Sequence, residues 1–358
     1  MELELALKHI ATLAKRIDGT INIMEVCGTH TVAIFRHGIR NLLPDNIRLI
    51  SGPGCPVCVT SIADIDRAIE IARRDDVILA TFGDMMRVPG SKQSLIDARA
   101  GGSHIEIVYS PMDCLSIARK DPQKKSVFFA TGFETTSPSV AATIDMAERE
   151  AIDNFFIYTV HKIVPPAIRL LAANREISIA GLLLPGHVST IIGRNAYRFL
   201  SDEYRIPSVI AGFGAEDILH SILRVMKQIA SGTSKVEIQY KGAVQEQGNP
   251  KALEYLDRYF QPVDAHWRGI GIIEKSGLAV REEHAARDIL RILPIEIENV
   301  REPSACRCGD VLIGKILPSE CKLFGRSCTP QKPVGACMVS SEGSCAAYYK
   351  YGVPAWTE

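Results

Sequence analysis

Residues 47–81 read IRLISGPGCPVCVTSIADIDRAIEIARRDDVILAT, and this stretch decides the fold class. The runs IRLI (47–50) and DVILAT (76–81) are short and apolar, which predicts strands buried on both faces. Between them, residues 61–74 carry apolar side chains at helical spacing. A strand, a helix and a second buried strand in this order predict a parallel α/β sheet.

The same alternation extends on both sides of this stretch. Upstream, INIMEV (21–26) predicts a strand, and the N-terminal MELELALKHIATLAKRI predicts an amphipathic helix rather than a signal peptide. Downstream, further strands are predicted at 104–109, 126–131, 155–160, 177–184 and 206–213. We therefore expect two related doubly wound parallel-sheet domains, residues 1–120 and 121–235, divided near Asp121 and Pro122.

The pattern changes after about residue 236. KALEYLDRYF predicts a helix and HWRGIGIIEKSGLAV a strand and turn, but from Arg301 onward the chain is rich in Gly, Pro and Cys. This tail has few large apolar residues, so we expect something other than hydrophobic burial to hold it together. We predict a third, cysteine-rich domain at residues 236–358.

Charge and composition exclude some classes of partner. The 358 residues include 41 Lys plus Arg and 41 Asp plus Glu, so no net field attracts nucleic acid or an anionic membrane. No apolar run reaches the roughly 18 residues that a membrane-spanning helix needs. We expect a cytoplasmic protein, in which ten cysteines need a chemical reason because structural disulfides are rare there.

Polar loops follow the carboxyl ends of the predicted strands. Ligands of open α/β sheets bind at this edge, near the point where the strand order reverses. We therefore predict one shared cleft formed by five loops: CGTHT (27–31), SGPGCPVCVT (51–60), FGDMMRVPG (82–90), TGFETT (131–136) and PGHVS (185–189). The candidate site residues in these loops are Cys27, Thr29, His30, Cys55, Cys58, Asp84, Glu134, Thr135, Thr136, His187 and Ser189.

Each of these loops also has a purely structural interpretation. Glycines serve strand-to-helix turns, Ser and Thr cap helices, and a lone histidine is commonly a satisfied core residue. The convergence of His30, His187, Glu134 and three thiols on one edge favours a functional site.

Cys55 and Cys58 form a C-x-x-C motif before the predicted helix. As a zinc half-site the motif lacks a second pair in its domain, and as a haem site it lacks a following histidine. A helix N-terminus stabilises a thiolate, so a reversible dithiol/disulfide is the favoured interpretation. Cys27 stands apart beside His30 and could be a nucleophile or a metal ligand, whereas Cys114 is predicted to pack in the core.

Six cysteines lie within 40 residues near the end of the chain. Their spacing is C-x-C from Cys306, then twelve residues, then C-x6-C-x8-C-x7-C from Cys321. Zinc ribbons use C-x2-C knuckles, which are absent, so widely spaced thiolates without histidine favour an iron-sulfur cluster. A cluster takes four ligands, and the spacing alone does not choose the four.

Taken together, CGTHT, GPGCPVC, TGFETT, PGHVS and CKLFGRSCTPQKPVGACMVSSEGSCAAYYKY resemble the HypD family of hydrogenase maturation factors over nearly the whole chain. The resemblance implies a [4Fe-4S] cluster on Cys306, Cys321, Cys328 and Cys345, with Cys308 and Cys337 as a second thiol pair. It also implies two partners, a HypC-type small chaperone and a HypE-type cyanide donor.

The same resemblance assigns roles around Cys27. This cysteine would bind an iron that carries cyanide and carbon monoxide, sharing it with the N-terminal cysteine of the small chaperone. Cys55 and Cys58 would be the adjacent redox pair, and His30, Glu134 and His187 would move protons or hold the diatomic ligands.

Two rival functions remain open from the sequence. The first is an iron-sulfur disulfide reductase similar to ferredoxin:thioredoxin reductase, which a cluster and a C-x-x-C support equally well. The second is a structural zinc protein that acts as a binding module. No P-loop is present, so we expect no intrinsic ATP hydrolysis.

Overall fold

A computed structural model of the chain describes residues 2–174, 176–297, 300 and 305–352. The strands of these residues are β1 (Ile21–Glu25), β2 (Ile47–Ser51), β3 (Val77–Thr81), β4 (Ile105–Ile107), β5 (Lys125–Ala130), β6 (Phe155–Thr159), β7 (Gly181–Pro185), β8 (Ser208–Ala211), β9 (Val236–Ile238), β10 (Phe260–Trp267) and β11 (Gly271–Val280). Every predicted strand is present, whereas β9 and residues 260–265 of β10 lie outside the predicted strands.

The helices alternate with the strands as far as β9. They are α1 (Glu2–Ala14), α2 (Gly28–Arg36), α3 (Pro56–Val59), α4 (Ile62–Ala72), α5 (Leu95–Ala100), α6 (Asp113–Lys120), α7 (Ser137–Arg149), α8 (Val164–Ala173), α9 (Gly186–Ile192), α10 (Arg198–Asp202), α11 (Ala215–Ser231), α12 (Pro250–Tyr259), α13 (Ile289–Ile292), α14 (Cys308–Leu312) and α15 (Ser344–Tyr351). Cys114 on α6 is fully buried in a hydrophobic core, as predicted.

Two parallel sheets carry the α/β region. The first sheet has the order β2-β1-β7-β8-β9 and the second β4-β3-β5-β6. Most strand residues are buried, which explains their continuous apolar runs, because helices cover parallel sheets on both faces. The predicted α/β class with parallel sheets is therefore confirmed.

The sheets do not divide the chain at the predicted boundary. Asp121 and Pro122 fall between β4 and β5, which both belong to the second sheet. The first sheet in turn joins β1 and β2 to β7, β8 and β9. The helix of residues 61–74 consequently links two different sheets, because β2 lies in the first and β3 in the second. Local periodicity indicates where a strand lies but not which strands pair with it. The sequence pattern therefore did not predict that the two sheets draw their strands from alternating parts of the chain.

The tail after β9 packs onto both sheets. β10 and β11 form an antiparallel hairpin with an irregular register between Val263 and Ala265. In the cysteine-rich segment, Leu312 and Cys337 join the hydrophobic core beside the first sheet, and Ala336 joins a core beside the second. Hydrophobic burial therefore contributes to holding the described part of the tail, contrary to the expectation from its composition. The last six residues of the predicted third domain, 353–358, lie outside the described residues.

Within the described ranges, no helix combines the length and the apolar character that crossing a membrane requires.

A polar cleft and a thiol cavity

The strand order reverses once in each sheet, and candidate loops flank both reversals. In the first sheet β1 and β7 are neighbours, and Cys27 and His187 follow their carboxyl ends. In the second sheet β3 and β5 are neighbours, and they lead into the loops of Asp84 and Glu134. Such reversal points are where α/β sheets leave a crevice for ligands.

A cleft of about 450 Å³, open to solvent, lies where these loops meet. Its lining combines residues from four of the five predicted loops with one from the cysteine-rich tail. Among them are Cys27, Thr29, Thr135, Thr136, His187 and Glu342. Both sheets therefore supply the walls of one cleft.

Cys27 is nearly buried at the inner end of the cleft, where it precedes the first turn of α2. Burial raises the pKa of its thiol to about 11, although the backbone N–H groups of His30 and Thr29 lower it. The negative charge of Glu342 raises it further. The free thiol is therefore protonated at neutral pH, and a metal that binds it must displace the proton.

The C-x-x-C loop lies directly against the Cys27 loop. Gly28 donates its backbone N–H to the carbonyl of Gly54 at 3.0 Å. A Cβ on Gly54 would stand only 2.3 Å from the nitrogen of Cys27. Gly54 is needed because no side chain fits between the two loops.

Glu342 is a site residue that the sequence did not single out. Its carboxylate accepts a hydrogen bond from Thr29 at 2.7 Å, and its Cβ lies 2.6 Å from where a Cβ on Gly28 would stand. It lies between Cys337 and Cys345 in the sequence, so the tail reaches the Cys27 loop through it. Only the position of a carboxylate among the clustered cysteines could have indicated it.

The two predicted histidines lie on either side of Phe213. His187 is exposed at the cleft and stacks on this ring at 4.0 Å between centroids, and His30 stacks on it at 4.8 Å. His30 is fully buried, and its Nε2 donates to the carbonyls of Ala211 and Gly212. Its Nδ1 has no hydrogen-bond partner among the described residues, and burial lowers its pKa to about 4. His30 is thus a neutral core residue behind the cleft.

Glu134 also lies behind the cleft wall rather than in its lining. It is 3% exposed, and its Oε1 accepts the backbone N–H of Val164 at the start of α8. Oε2 has no partner within the described chain, and burial raises the pKa of the carboxyl group to about 7. Glu134 can therefore hold or release a proton near neutral pH.

The remaining predicted cleft residues differ in position. Asp84 lies in an adjoining pocket that shares Thr29 and Glu342 with the cleft, and it accepts a hydrogen bond from Ser340 at 3.2 Å. Ser189 is fully buried and donates to the carbonyl of Pro185, four residues earlier. It stabilises the first turn of α9 rather than lining the cleft.

Cys55 and Cys58 are both buried around α3. The Sγ of Cys55 accepts the backbone N–H of Cys58 at 3.4 Å. Burial raises the pKa of the Cys58 thiol well above the usual value, and the neighbouring thiols of Cys337 and Cys55 raise it further. The sequence predicted that a helix N-terminus would lower the pKa of a thiol in this motif. The pKa of Cys58 is raised instead, because desolvation is the larger effect.

The six C-terminal cysteines line one shared cavity. Its lining is otherwise mostly apolar, and it consists of Cys306, Cys308, Cys321, Cys328, Cys337 and Cys345 with Arg307, Val311, Leu323, Phe324, Gly335 and Met338. The six thiols lie up to 39 positions apart in the sequence, and the fold of an irregular segment brings them together.

The thiols interact electrostatically in an order. Cys306 acts on Cys308, Cys308 on Cys337, and Cys337 on both Cys345 and Cys58. The thiol of Cys306 lowers the pKa of Cys308, but that of Cys337 and burial raise it more, to about 12. Cys337 therefore joins the cavity to the C-x-x-C motif.

The donor set of the cavity fits an iron-sulfur cluster. Iron-sulfur clusters are bound by cysteine thiolates, and in a [4Fe-4S] cluster each of the four thiolates ligates a separate iron. Within the described ranges, no three His, Cys, Asp or Glu side chains converge as the ligands of a single metal ion do. The four ligands of a [4Fe-4S] cluster stand farther apart than the ligands of a single metal ion, because each binds the iron at a different corner of the cluster.

The sequence matches one protein family over nearly its whole length. The HypD family model, described as "Hydrogenase formation hypA family", matches residues 2–352. The hydrogenase maturation factor HypD of Rhodobacter capsulatus is 45% identical over 97% of this chain and 94% of its own length. That of Escherichia coli is 43% identical over 96% and 91%, respectively. A putative hydrogenase expression/formation protein of Methanocaldococcus jannaschii is 42% identical over 97% and 96%.

Proposed function

This chain belongs to the HypD family of hydrogenase formation proteins, and from that membership we propose that it is the scaffold on which the Fe(CN)2CO centre of [NiFe] hydrogenase is assembled. It is a hydrogenase maturation factor. We further propose that the protein acts in the cytoplasm, together with a HypC-type chaperone and a HypE-type cyanide donor.

The iron under assembly is the cargo, and Cys27 is its proposed ligand. Soft thiolate ligands suit an iron that binds cyanide and carbon monoxide. Cys27 lies at the inner end of an open cleft, so a ligand of the small chaperone can reach the same metal from solvent. The backbone N–H groups of Thr29 and His30 stabilise the thiolate once the proton has left.

The cavity is the proposed site of a [4Fe-4S] cluster, held by Cys306, Cys321, Cys328 and Cys345. Bound there, the group supplies single electrons. Cys308 and Cys337 would remain free as the thiol pair next to it, and Cys55 and Cys58 as the pair next to Cys27. The observation that carries this proposal is the proximity of Cys58 and Cys337, which lie in one hydrophobic core and so bring the two thiol groups together.

Proton handling is proposed for Glu134 and His187. Glu134 has a pKa of about 7, which suits exchange near neutral pH. His187 is exposed in the cleft beside Cys27 and can donate to a ligand there. His30 is neutral and fully buried, so its proposed part is to position α2 through the carbonyls that follow β8.

Anaerobic purification with the small chaperone tests the proposal. Wild-type protein should carry iron with infrared bands of cyanide and carbon monoxide, and Cys27→Ala should lose these bands but keep the visible iron-sulfur absorption. Cys114→Ala, which removes another buried thiol away from the site, should keep both. Cyanide and carbon monoxide bands of full intensity in Cys27→Ala would contradict the assignment of the ligand.

An iron-sulfur disulfide reductase is the second candidate, because the proximity of Cys58 and Cys337 would serve it equally well. The two functions differ in what the isolated protein does. Repeated turnover of a model disulfide without any partner would favour the reductase, and a single stoichiometric oxidation would favour the scaffold.

A further inference from the structure

The loop of residues 321–328 has one side in the thiol cavity and the other in solvent. Four of its side chains line the cavity, those of Cys321, Leu323, Phe324 and Cys328. Lys322 and Arg326 lie between them in the sequence and are exposed. The loop is held in shape by backbone hydrogen bonds from Phe324 to Cys321 and from Cys328 to Leu323, both at 2.9 Å. A single layer of chain thus separates the two cations from the cavity.

The cysteine-rich segment carries an excess of positive charge that the balanced total of the chain conceals. Residues 305–352 contain six Lys or Arg but three Asp or Glu, whereas the whole chain contains 41 of each class. Two of the six cations form ion pairs with carboxylates, Arg307 and Lys315. Lys322, Arg326 and Lys332 are exposed and have no ion-pair partner among the described residues. Their charges therefore act on whatever approaches the loop from solvent.

An aromatic pair accompanies these cations. Phe324 packs edge-on against Tyr349 of α15, with 6.2 Å between the ring centroids, and Tyr349 is exposed. Aromatic residues and arginine are enriched where one protein docks on another. The described lining of the cleft at Cys27 includes no residue of the loop, so this surface is not the one that is proposed to receive a ligand from the small chaperone.

The proposed function consumes electrons, which must come from outside the chain. A protein that carries them has to dock close to the cavity, because electrons pass between proteins only over short distances. Electron-transfer encounters bury little area and depend on complementary charge to steer the two partners together. A basic surface backed by a thiol cavity therefore fits an acidic carrier protein. Nucleic acid would also be attracted by three cations, but it has no use for the redox chemistry behind them.

We propose that the loop of residues 321–328, with Lys322 and Arg326, is the docking surface for an acidic one-electron carrier protein that reduces the iron-sulfur group in the thiol cavity. In each encounter the carrier loses one electron and the group gains it, and no bond forms or breaks. The inference rests on the proposed cluster and adds to the proposed function the class of protein that supplies its electrons.

Stopped-flow reduction of the full-length protein, purified anaerobically, tests this inference with two electron donors. The first is an acidic plant-type ferredoxin, and the second is reduced methyl viologen, a small cation that needs no docking surface. The double variant Lys322→Gln/Arg326→Gln should react about tenfold more slowly with ferredoxin at low ionic strength, because it loses charge steering. Its reaction with methyl viologen should be no slower than that of wild type.

A matched control removes two exposed lysines elsewhere. Lys227→Gln/Lys251→Gln takes them from α11 and α12, changes the net charge by the same amount and should keep the wild-type rate with both donors. Binding of oxidised ferredoxin to the oxidised protein, measured by isothermal titration calorimetry, is a readout without electron transfer. This affinity should fall about tenfold in the Lys322→Gln/Arg326→Gln variant and stay unchanged in the control.

The possible outcomes separate the two proposals. An absent cluster in wild-type protein overturns both the proposed function and this inference. A wild-type cluster that ferredoxin fails to reduce, or reduces equally fast in the Lys322→Gln/Arg326→Gln variant, overturns the inference alone. Equal ferredoxin rates together with weaker co-purification of the small chaperone, or weaker binding of an RNA oligonucleotide, would assign the surface to that partner instead.

Two further outcomes concern the cluster itself. Slower reaction of the double variant with both donors would show that the substitutions alter the iron-sulfur group rather than docking, and would overturn the inference. If the double variant loses the cluster, the wild-type protein decides. Its rate with ferredoxin should fall about tenfold from low ionic strength to about 0.3 M salt, because salt screens exposed charges, and a constant rate overturns the inference.

Discussion

The cleft at Cys27 and the thiol cavity are neighbours that are built in different ways. The cleft lies where parallel strands of two sheets end, and its lining includes threonines, His187 and Glu342. The cavity is formed by an irregular segment and is lined by thiols and apolar side chains. The cleft is thus positioned by sheet topology, whereas the cavity depends on its contacts with α3 and the hairpin. Changes in the cavity should therefore have larger structural consequences than changes in the cleft.

The largest expected effect is the loss of the cluster on removing one cavity thiol. Cys328 is nearly buried in the cavity and is one of the four proposed ligands. Cys328→Ser should abolish the visible iron-sulfur absorption and reduce bound iron by the four atoms of a cluster. Iron analysis and absorbance of anaerobically purified protein measure this loss. Cys114→Ala is the matched control, and a brown Cys328→Ser protein with unchanged iron would contradict the ligand set.

The next largest effect concerns Glu134 behind the cleft and depends on pH. Its carboxyl pKa is raised by burial from 4.5 to about 7, so the folded state binds the proton more tightly than the unfolded chain. The associated stability is complete below about pH 4.5 and is lost as pH rises through 7. This shift corresponds to about 3 kcal/mol at most.

Glu134→Gln tests this dependence, because the amide resembles the protonated acid and does not titrate. The variant should lose much of the fall in unfolding free energy that wild type shows between pH 5 and 8. Urea unfolding at both pH values measures it. Equal pH dependence in the two proteins would show that the carboxyl group titrates normally.

A smaller effect is expected where the hairpin touches the cavity. A Cβ on Gly309 would lie 2.0 Å from the carbonyl oxygen of Gly269, so Gly309→Ala must separate the two backbones. We expect a loss of about 2 kcal/mol in unfolding free energy, which is typical of overpacking. Gly242→Ala is the control, since a Cβ there has nothing within 4 Å. Denaturant unfolding compares them, and equal stabilities would argue against tight docking of the hairpin.

The smallest effect concerns the bond between the tail and the Cys27 loop. Thr29→Val removes the donor to Glu342 and should cost about 1 kcal/mol, the usual net value of one hydrogen bond. Glu342→Gln keeps an acceptor oxygen and should cost less. Thermal unfolding of both variants measures the difference. A larger loss for Glu342→Gln than for Thr29→Val would show that the charge, not the bond, holds the tail.

The sequence predicted the cleft better than the cavity. Apolar runs identify strands, and the rule that ligands bind at the carboxyl ends of parallel strands is enough to bring Cys27, Thr135 and His187 together. The rule acts on loops and not on side-chain direction, so it did not separate exposed His187 from buried His30 or Ser189.

Contacts between distant segments were beyond sequence reasoning. Thr29 and Glu342 are 313 positions apart, and nothing in the local pattern of either indicates their hydrogen bond. The proximity of Cys58 and Cys337 depends in the same way on how the tail docks. The interleaving of the two sheets follows from strand pairing, which periodicity does not specify.

Mössbauer spectroscopy of iron-57-labelled protein, purified anaerobically with its small chaperone, tests the central claim most directly. The account predicts two separate iron signals, that of a [4Fe-4S] cluster and that of one low-spin iron. Cys328→Ser should remove the signal of the cluster, and Cys27→Ala should remove only that of the single iron. Loss of the cluster signal in Cys27→Ala, or its persistence in Cys328→Ser, would contradict the division of the molecule into a cleft that holds the cargo and a cavity that holds the cluster.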